Sequence, residues 1–345
     1  MYNFKNDYAE GAHPTILQRL LETNLIQQNG YGEDEYCKLA KSAIKERLNN
    51  QFAEIYFVSG GTQANLLVIS SLLRPHEAVI SASSGHIFTN EAGAIESVGH
   101  KVISVSTNNG KITPSDIERT LQAYQLKPHV VKPRLVYISN TTEVGTFYNK
   151  KELQDLYAQC KANNLLLFLD GARLGHALMA PGSDLLLEDV SRFTDVFYIG
   201  ATKNGGLLGE AVIFNHREVG TDFPYIMKQK GALLAKGRVL GVQFLCLFEG
   251  ELYLKLAQHA NLMAAKIAEA IQQQGYSFLA DVASNQLFPI LPNALIVELE
   301  KKYEFYVWQK IDDEKSVVRL ITSWATDPKI VDALVQDIQA GSNSF

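Results

Sequence analysis

Two short segments of the 345-residue chain carry residue types that could do covalent chemistry together. Lys203 lies between the apolar run VFYIG and a glycine pair. An amine held in such a crowded, partly dry place can lose its proton and attack a carbonyl group. Asp170 directly follows the apolar run LLLFL. A carboxylate there needs a positive partner, and either a protonated heterocyclic nitrogen of a ligand or the nearby Arg173 would serve.

Two further segments could bind the remainder of a ligand. Gly60, Gly61 and Thr62 follow the run IYFVS and open a predicted helix, whose free N–H groups would bind an anion such as phosphate. His86 follows the run AVISA and could titrate or stack on a planar ring. Each segment has an ordinary structural explanation as well: a tight connection, a solvated loop lysine or a packed histidine. Together, however, they supply the anion site, ring acid, amine and ring cover that pyridoxal phosphate requires.

The hydrophobic pattern predicts the elements that position these segments. Short apolar runs alternate with segments of helical period, which is typical of an α/β fold with a mostly parallel sheet covered by helices. Because ligands of open α/β sheets bind beyond the carboxyl ends of the strands, the segments should meet at one edge. The predicted strands are residues 55–59, 78–82, 101–105, 134–139, 165–169, 196–200 and 211–214.

Helix-start signals and the C-terminal third complete the predicted organisation. Thr113 before Pro114, and Asn149 three residues before Glu152, predict two helix starts. An amphipathic segment at 251–274 precedes strand-like pieces at 294–299 and 317–322 and a terminal helix, with a frayed end at 341–345. We therefore predict an N-terminal arm at 1–30, a large ligand-binding α/β domain at 31–245 and a small α+β domain at 246–345.

The amino-acid composition of the chain argues against several classes of function. Hydrophobic residues make up 46% of the chain and charged residues 20%, which is typical of a globular protein with a packed core. The net charge is −5 without a basic run, so neither nucleic acid nor an anionic membrane is an expected partner. No apolar stretch approaches the roughly 20 residues of a membrane span. Three widely separated cysteines predict no disulfide framework or metal site, and a cytoplasmic location is the expectation.

Sequence motifs along nearly the whole chain resemble those of a known family. The segments SGGTQANL, HIFTNEAGA, FLDGARLGHAL, ATKNGGLLGEA and RLITSW resemble the threonine aldolase and β-eliminating lyase group of fold-type-I pyridoxal phosphate enzymes. The resemblance implies an aspartate-aminotransferase-like large domain with a seven-stranded, mostly parallel sheet and a small C-terminal domain. It also implies a homodimer or homotetramer with shared active sites.

The same resemblance implies roles for the cofactor-binding residues. Lys203 would bind pyridoxal 5′-phosphate as a Schiff base, Asp170 would pair with the pyridine nitrogen and His86 would cover the ring. Gly60, Gly61 and Thr62 match the phosphate loop of the family.

Substrate-binding roles follow in the same way. Arg173 and Arg319 match the arginines that hold the substrate carboxylate, and Arg173 also counts among the cofactor-binding residues. Tyr31 matches a tyrosine that a neighbouring subunit contributes to the site.

Three positions depart from the pattern of the family. Asn6 stands where a serine usually contacts the substrate, and Thr142 stands where a second histidine is usual. Lys236, with Arg238 close by, replaces an arginine that crosses the subunit interface to the cofactor phosphate. The departures leave cofactor binding intact, but they affect substrate choice and the identity of the base.

The expected reaction is retro-aldol cleavage of a β-hydroxy-α-amino acid, such as threonine, allo-threonine or phenylserine, to glycine and an aldehyde. His86, or a water that it positions, is the first candidate for the base, and Glu143 is the second. β-Elimination or transamination with the same cofactor is an alternative, and so is a non-catalytic protein that binds a phosphorylated ligand. Nucleotide-dependent oxidoreduction is disfavoured, because GxGxxG is absent from the sequence.

Overall fold

The computed structural model describes residues 1–342, and within them thirteen strands form three sheets. The predicted frayed end is helical at 341–342, and residues 343–345 lie outside the described part of the chain. The strands are β1 (Tyr2–Asn3), β2 (Glu54–Val58), β3 (Glu77–Ala82), β4 (Lys101–Val105), β5 (Lys132–Ser139), β6 (Leu166–Asp170), β7 (Val196–Gly200), β8 (Glu210–Phe214), β9 (Gln286–Leu287), β10 (Ile290–Pro292), β11 (Tyr303–Glu304), β12 (Tyr306–Lys310) and β13 (Lys315–Ile321).

Helices connect and cover these strands. They are α1 (Pro14–Thr23), α2 (Glu35–Leu48), α3 (Gly61–Leu72), α4 (His86–Thr89), α5 (Ala94–Ser97), α6 (Pro114–Ala123), α7 (Lys150–Ala162), α8 (Leu174–Leu178), α9 (Leu187–Arg192), α10 (Phe223–Gln229), α11 (Arg238–Phe248), α12 (Leu252–Gln273), α13 (Asn293–Leu299) and α14 (Pro328–Ser342). No helix within residues 1–342 combines the length and the apolar character that a membrane crossing requires.

The large sheet has the strand order β2-β8-β7-β6-β5-β3-β4 and is mostly parallel, as predicted. Strand β8 is the exception, because it runs antiparallel to both β2 and β7. Alternate residues of each buried strand enter different cores: Leu167 and Leu169 pack into one apolar cluster, while Phe168 packs into a second. Helices therefore cover both faces of the sheet, and the site residues emerge at its edge.

Both predicted helix starts are confirmed. The Thr113 side chain accepts a hydrogen bond from the Asp116 N–H group, and Asp116 in turn accepts one from the Thr113 N–H group. Asn149 and Glu152 make the same reciprocal pair at the start of α7. These capping boxes satisfy N–H groups that the helix itself leaves free.

The C-terminal third contains a separate small sheet. Strand β13 pairs antiparallel with β9, β10 and β12, and helices α12 to α14 pack around a third apolar cluster. The prediction of a strand at 294–299 is wrong, because these residues form α13. Leu295, Ile296 and Leu299 are buried, which is the spacing of one helical face. The predicted division into domains stays a prediction; residue 245 lies inside α11.

Residues 2–8 join the small sheet to the large one. Strand β1 pairs in parallel with β11, at Tyr2 opposite Tyr303, and the Ile321 N–H group donates to the Phe4 carbonyl oxygen over 2.8 Å. Phe4 is fully buried in the third cluster. The chain then passes directly to Asp7 in the site region.

Strands β6 and β7 can approach each other closely because residue 171, just after β6, is a glycine. A Cβ atom there would lie 1.8 Å from the carbonyl oxygen of Tyr198. We expect Gly171→Ala to lower the free energy of unfolding by roughly 3 kcal/mol, since backbone cannot yield as a flexible side chain does. Gly250→Ala is the matched control, because no atom lies within 4 Å of its Cβ position. Urea denaturation of both variants measures the effect; equal stability of the two would contradict it.

Candidate active site

The carboxyl ends of β2, β6 and β7 surround a cavity of about 290 Å³. The start of β8 reaches the same edge, because that strand is antiparallel. Seven residues singled out from the sequence line the cavity: Gly60, Gly61, Thr62, His86, Glu143, Asp170 and Lys203. The structure thus brings the four chemical segments together, and their roles stay predictions.

Lys203 follows β7 by three residues and reaches into the cavity. Burial, and then the cation of Arg173, lower the pKa of the Lys203 amine. Among the residues described, none forms a hydrogen bond or an ion pair with that amine. An unpaired amine with a lowered pKa loses its proton more readily than an ordinary lysine, which favours attack on a carbonyl group.

Asp170 ends β6 and is buried beside the cavity. Its Oδ2 accepts hydrogen bonds from the Tyr137 hydroxyl over 2.5 Å and the Asn65 amide over 3.2 Å, and its Oδ1 accepts one from the Ala172 N–H group over 3.0 Å. Burial raises the pKa of Asp170, but His86 and the tyrosine hydrogen bond outweigh this and keep the pKa below its ordinary value. Asp170 is therefore ionised at neutral pH and can hold a ring nitrogen in its protonated form.

The glycine segment forms the start of α3. Within the described chain no side chain caps this helix at Gly60, and no heavy atom lies within 4 Å of a Cβ position there. Thr62 lines the cavity from the first turn. The open helix start offers N–H groups and a positive dipole end, which suit a phosphate.

His86 begins α4 and lines the cavity. Its Nδ1 lies 2.9 Å from Oε1 of the buried Glu91, and the Asn65 amide donates to the same oxygen over 2.7 Å. Burial lowers the pKa of His86, but the Glu91 hydrogen bond and nearby carboxylates outweigh it, so that the net pKa is raised. Glu91 thus fixes the ring and favours its protonated form.

Replacing Glu91 by glutamine should lower the pKa of His86. The amide oxygen can still accept the hydrogen bond from Nδ1, but it carries no charge to stabilise an imidazolium. His86 should therefore lose its proton at a lower pH than in the parent protein, as measured by NMR titration of its ring protons. Glu96→Gln, at an exposed carboxylate nearby, is the control. An unchanged His86 titration in Glu91→Gln would refute the argument.

Arg173 pairs with Asp7 and not with Asp170. Its Nε and Nη2 donate to the two Asp7 carboxylate oxygens over 2.7 and 3.0 Å, and both side chains are buried. Asn285 donates to Asp7 Oδ2 over 2.9 Å. The alternative that Arg173 merely neutralises Asp170 is therefore wrong. Arg173 Nη1 has no partner in the described residues, so it is free to bind a ligand carboxylate.

Arg319 lies on β13, and electrostatic repulsion couples it to Arg173. Burial, and then that repulsion, lower the pKa of Arg319 to about 10, so it stays a cation at neutral pH. Its Nη2 donates to Gln286 Oε1 over 2.7 Å, and its guanidinium carbon lies 5.4 Å from the Trp308 ring centre and 5.9 Å from that of Phe288. The buried Nε has no hydrogen-bond partner within residues 1–342. The Arg319 guanidinium is thus held in place, and it still has an N–H group that makes no hydrogen bond to the described residues.

Comparison with known proteins decides the family. The sequence pattern of the β-eliminating lyases matches residues 9–293. The chain belongs to the β-eliminating lyase family. It is 32% identical over 340 residues to the low specificity L-threonine aldolase of Pseudomonas aeruginosa, a match that covers 97% of this chain and 96% of that protein.

Solved structures give the fold of this β-eliminating lyase. The structure of Leishmania major threonine aldolase is similar to it with a TM-score of 0.98 and 46% identity, over 99% of this chain and 100% of that one. A Thermus thermophilus aspartate aminotransferase matches with a TM-score of 0.71 at 14% identity, over 99% and 91%, which shows the fold alone. The predicted fold-type-I architecture is confirmed, and it implies pyridoxal phosphate as the cofactor.

The residues of the lyase fit this cofactor. An uncapped helix start, a buried ionised carboxylate and an unpaired amine lie around one cavity. These are the groups that a phosphate, a pyridine nitrogen and an aldehyde each need. Within residues 1–342, no three His, Cys, Asp or Glu side chains are grouped so that they could hold a metal ion.

Asn6 and Thr142 do not line the Lys203 cavity, and neither do Arg173 and Arg319. The Asn6 side chain turns back on its own segment, where its Oδ1 accepts a hydrogen bond from the Tyr8 N–H group over 3.0 Å. The buried Thr142 hydroxyl lies 2.7 Å from that of Thr146. Both side chains are used for local structure, and their assigned substrate contacts stay predictions.

Tyr31 and Lys236 also lie away from Lys203 within this chain. Tyr31 is about half-exposed, and Lys236 lines a separate cavity of about 590 Å³ between α11 and the loop after α1. Arg238, the neighbouring candidate, donates to the backbone carbonyl oxygens of Thr23, at the end of α1, and of Ile26, in that loop. Roles of these residues at the lyase site would require a second subunit.

Sequence reasoning missed Glu210, which begins β8 and lines the cavity. Its Oε1 accepts a hydrogen bond from the Thr202 hydroxyl over 3.0 Å, and burial raises its pKa to about 8. The signal was present, because an acid directly before the apolar run AVIF is as unusual as an acid directly after LLLFL. Asp7 and Glu91 carried no comparable local signal.

Proposed function

We propose that this protein is a pyridoxal-phosphate-dependent aldehyde-lyase that cleaves a β-hydroxy-α-amino acid to glycine and an aldehyde. The observation that carries the proposal is the single cavity shared by the Lys203 amine, the Asp170 carboxylate and the open start of α3. The names of the relatives from Pseudomonas and Leishmania support threonine, allo-threonine or a phenylserine-like compound as the substrate.

Four of the cavity-lining segments have a proposed part in holding the cofactor. Lys203 would bind it covalently through the ε-amine, and residues 60–62 would bind its phosphate at the start of α3. The Asp170 carboxylate would keep the pyridine nitrogen protonated, and the His86 ring would cover one face. When bound, the cofactor supplies an acceptor for the electron pair released at the α-carbon of the substrate.

The two arginines would orient the substrate. Arg173, braced by the bidentate contact with Asp7, has Nη1 available for the substrate carboxylate, and Arg319 adds a second cation. Fixing the carboxylate sets which bond at the α-carbon aligns for cleavage. Asn6 and Thr142 would reach the substrate only with a change in their present hydrogen bonds.

We propose a homodimer or homotetramer that shares its active sites. Leu17, Leu21 and Leu25 of α1 and the loop after it are exposed and apolar, beside the cavity that Lys236 lines. Such a face suits burial against a second subunit, which would place Tyr31 and Lys236 toward a neighbouring site. The three cysteines are free and buried, which supports a reducing, cytoplasmic location.

Product analysis tests the proposed reaction. Purified protein with added pyridoxal phosphate is incubated separately with threonine, allo-threonine and phenylserine, and glycine and aldehyde are quantified. Equal amounts of the two products are expected from at least one substrate. Ammonia with a keto acid, or amino transfer to an added keto acid, would replace the proposal by elimination or transamination. No aldehyde from any substrate would refute it.

A further inference from the structure

The turn after β5 places the Glu143 side chain at the wall of the cavity, and backbone hydrogen bonds fix the conformation of this turn. The Asn140 N–H group donates to the Asp170 carbonyl oxygen over 2.9 Å, and the Thr142 N–H group donates to the Thr146 carbonyl oxygen over 2.8 Å. Glu143 lies at the tip of this turn, is half-buried and lines the cavity that contains Lys203. The backbone that carries Glu143 is therefore anchored directly to the site.

Among residues 1–342, Glu143 is the carboxylate of the cavity that accepts no hydrogen bond. Asp170 accepts hydrogen bonds from Tyr137 and Asn65, and Glu210 accepts one from Thr202. No residue in the described chain donates a hydrogen bond to the Glu143 carboxylate or lies within salt-bridge distance of it. It nevertheless acts electrostatically on four cationic groups of the site: His86, Arg173, Lys203 and Arg319.

The other candidate base, His86, is hydrogen-bonded to another side chain. His86 is bound through Nδ1 to Glu91, and although burial lowers the pKa of His86, that contact and nearby carboxylates raise it on balance. At any given pH, a raised pKa leaves a smaller fraction of the imidazole in the neutral form that can accept a proton. The hydroxyl of Thr142 has no accessible basic form at neutral pH and is paired with Thr146.

We propose that Glu143 is the catalytic base that takes the proton of the substrate β-hydroxyl group. This inference rests on the proposed function. With the substrate carboxylate bound by the arginines and the α-carbon near Lys203, the β-hydroxyl would lie in the cavity whose wall includes Glu143 and His86. The proton passes from the β-oxygen to a Glu143 carboxylate oxygen, and the O–H electron pair becomes the second C–O bond of the aldehyde. The Cα–Cβ bond breaks, and its electron pair stays with the α-carbon, which is then protonated to give glycine.

Glu143→Gln tests the proposal, because it preserves size while removing the proton acceptor. Two rates are measured on the cofactor-loaded protein: aldehyde release from the best substrate, and exchange of the glycine α-hydrogen for deuterium, followed by NMR. The exchange needs the cofactor, the lysine and the arginines, but no β-hydroxyl base. Glu218→Gln, at an exposed carboxylate distant in sequence, is the charge-matched control.

Aldehyde release by Glu143→Gln should fall by about 10² to 10⁴-fold, while glycine exchange stays close to that of the parent. Formate added to Glu143→Ala should restore part of the cleavage rate. Cleavage at the parental rate in Glu143→Gln would overturn the proposal, and so would a parallel loss of cleavage and exchange, which would indicate a structural role. A parent protein that exchanges glycine but cleaves no substrate would overturn the proposed function, and with it this assignment.

Discussion

Lys203→Ala should abolish both the yellow colour of the purified protein and its trapping by borohydride. The Lys203 amine lines the cavity without a hydrogen-bond partner among the described residues, and a methyl side chain cannot form a carbon–nitrogen bond. Aldehyde release should fall by about 10³-fold or more, since the lysine acts as a unit with the groups around it. The visible spectrum, reduction with borohydride and mass spectrometry of the labelled peptide measure the effect.

Lys329→Ala controls for the loss of a positive charge, because Lys329 is exposed near the start of α14. It should keep the colour, the borohydride label and the activity of the parent. Label retained on the Lys203→Ala protein would place the covalent bond elsewhere. A colourless parent protein that binds phosphate esters would favour the non-catalytic alternative.

Asp170→Asn should retain the fold and much of the cofactor affinity but lower kcat/KM by roughly 10² to 10³-fold. The asparagine is nearly isosteric, and its single carbonyl oxygen can keep the hydrogen bond from the Ala172 N–H group or the one from the Tyr137 hydroxyl. It carries no charge, so it no longer keeps a ring nitrogen protonated. Steady-state kinetics with the best substrate, together with a visible titration of cofactor binding, measure the two effects separately.

Asp222→Asn is the control, since its exposed carboxylate makes no cap hydrogen bond at the start of α10. Asp170→Glu adds a second comparison, because it restores the charge while displacing it. An Asp170→Asn protein with parental kcat/KM would show that the carboxylate does not act on the cofactor. Equal losses in Asp170→Asn and Asp222→Asn would point to a general electrostatic effect.

The parts of the site that sequence predicted are those in which one residue type stands out against its surroundings. Lys203 and Asp170 are charged residues at the ends of buried apolar strands, and parallel strands bring such ends to one edge. Their partners were not predictable in this way. Tyr137 and Asn65 contact Asp170 from 33 and 105 residues away, and the pairing depends on the packing of α3 against the sheet.

The one wrong element shows a limit of periodicity. Residues 294–299 form a short apolar run that fits a strand or a buried helix equally well. The structure resolves this through tertiary contacts, since α13 packs against α14 and buries Leu295 and Ile296 in the small-sheet core. The direction of a strand could not be predicted from the sequence either, because nothing in the run 211–214 indicates that β8 is antiparallel.

The pairing of β1 with β11 has a consequence for synthesis of the chain. Tyr2 is synthesised about 300 residues before its partner Tyr303, so the pairing that leads the chain to Asp7 beside Arg173 cannot form until Tyr303 has been made. The segment that carries Asp7 thus takes its place only after the large sheet has been synthesised, and chain fragments that contain the whole large sheet but lack residue 303 should be inactive.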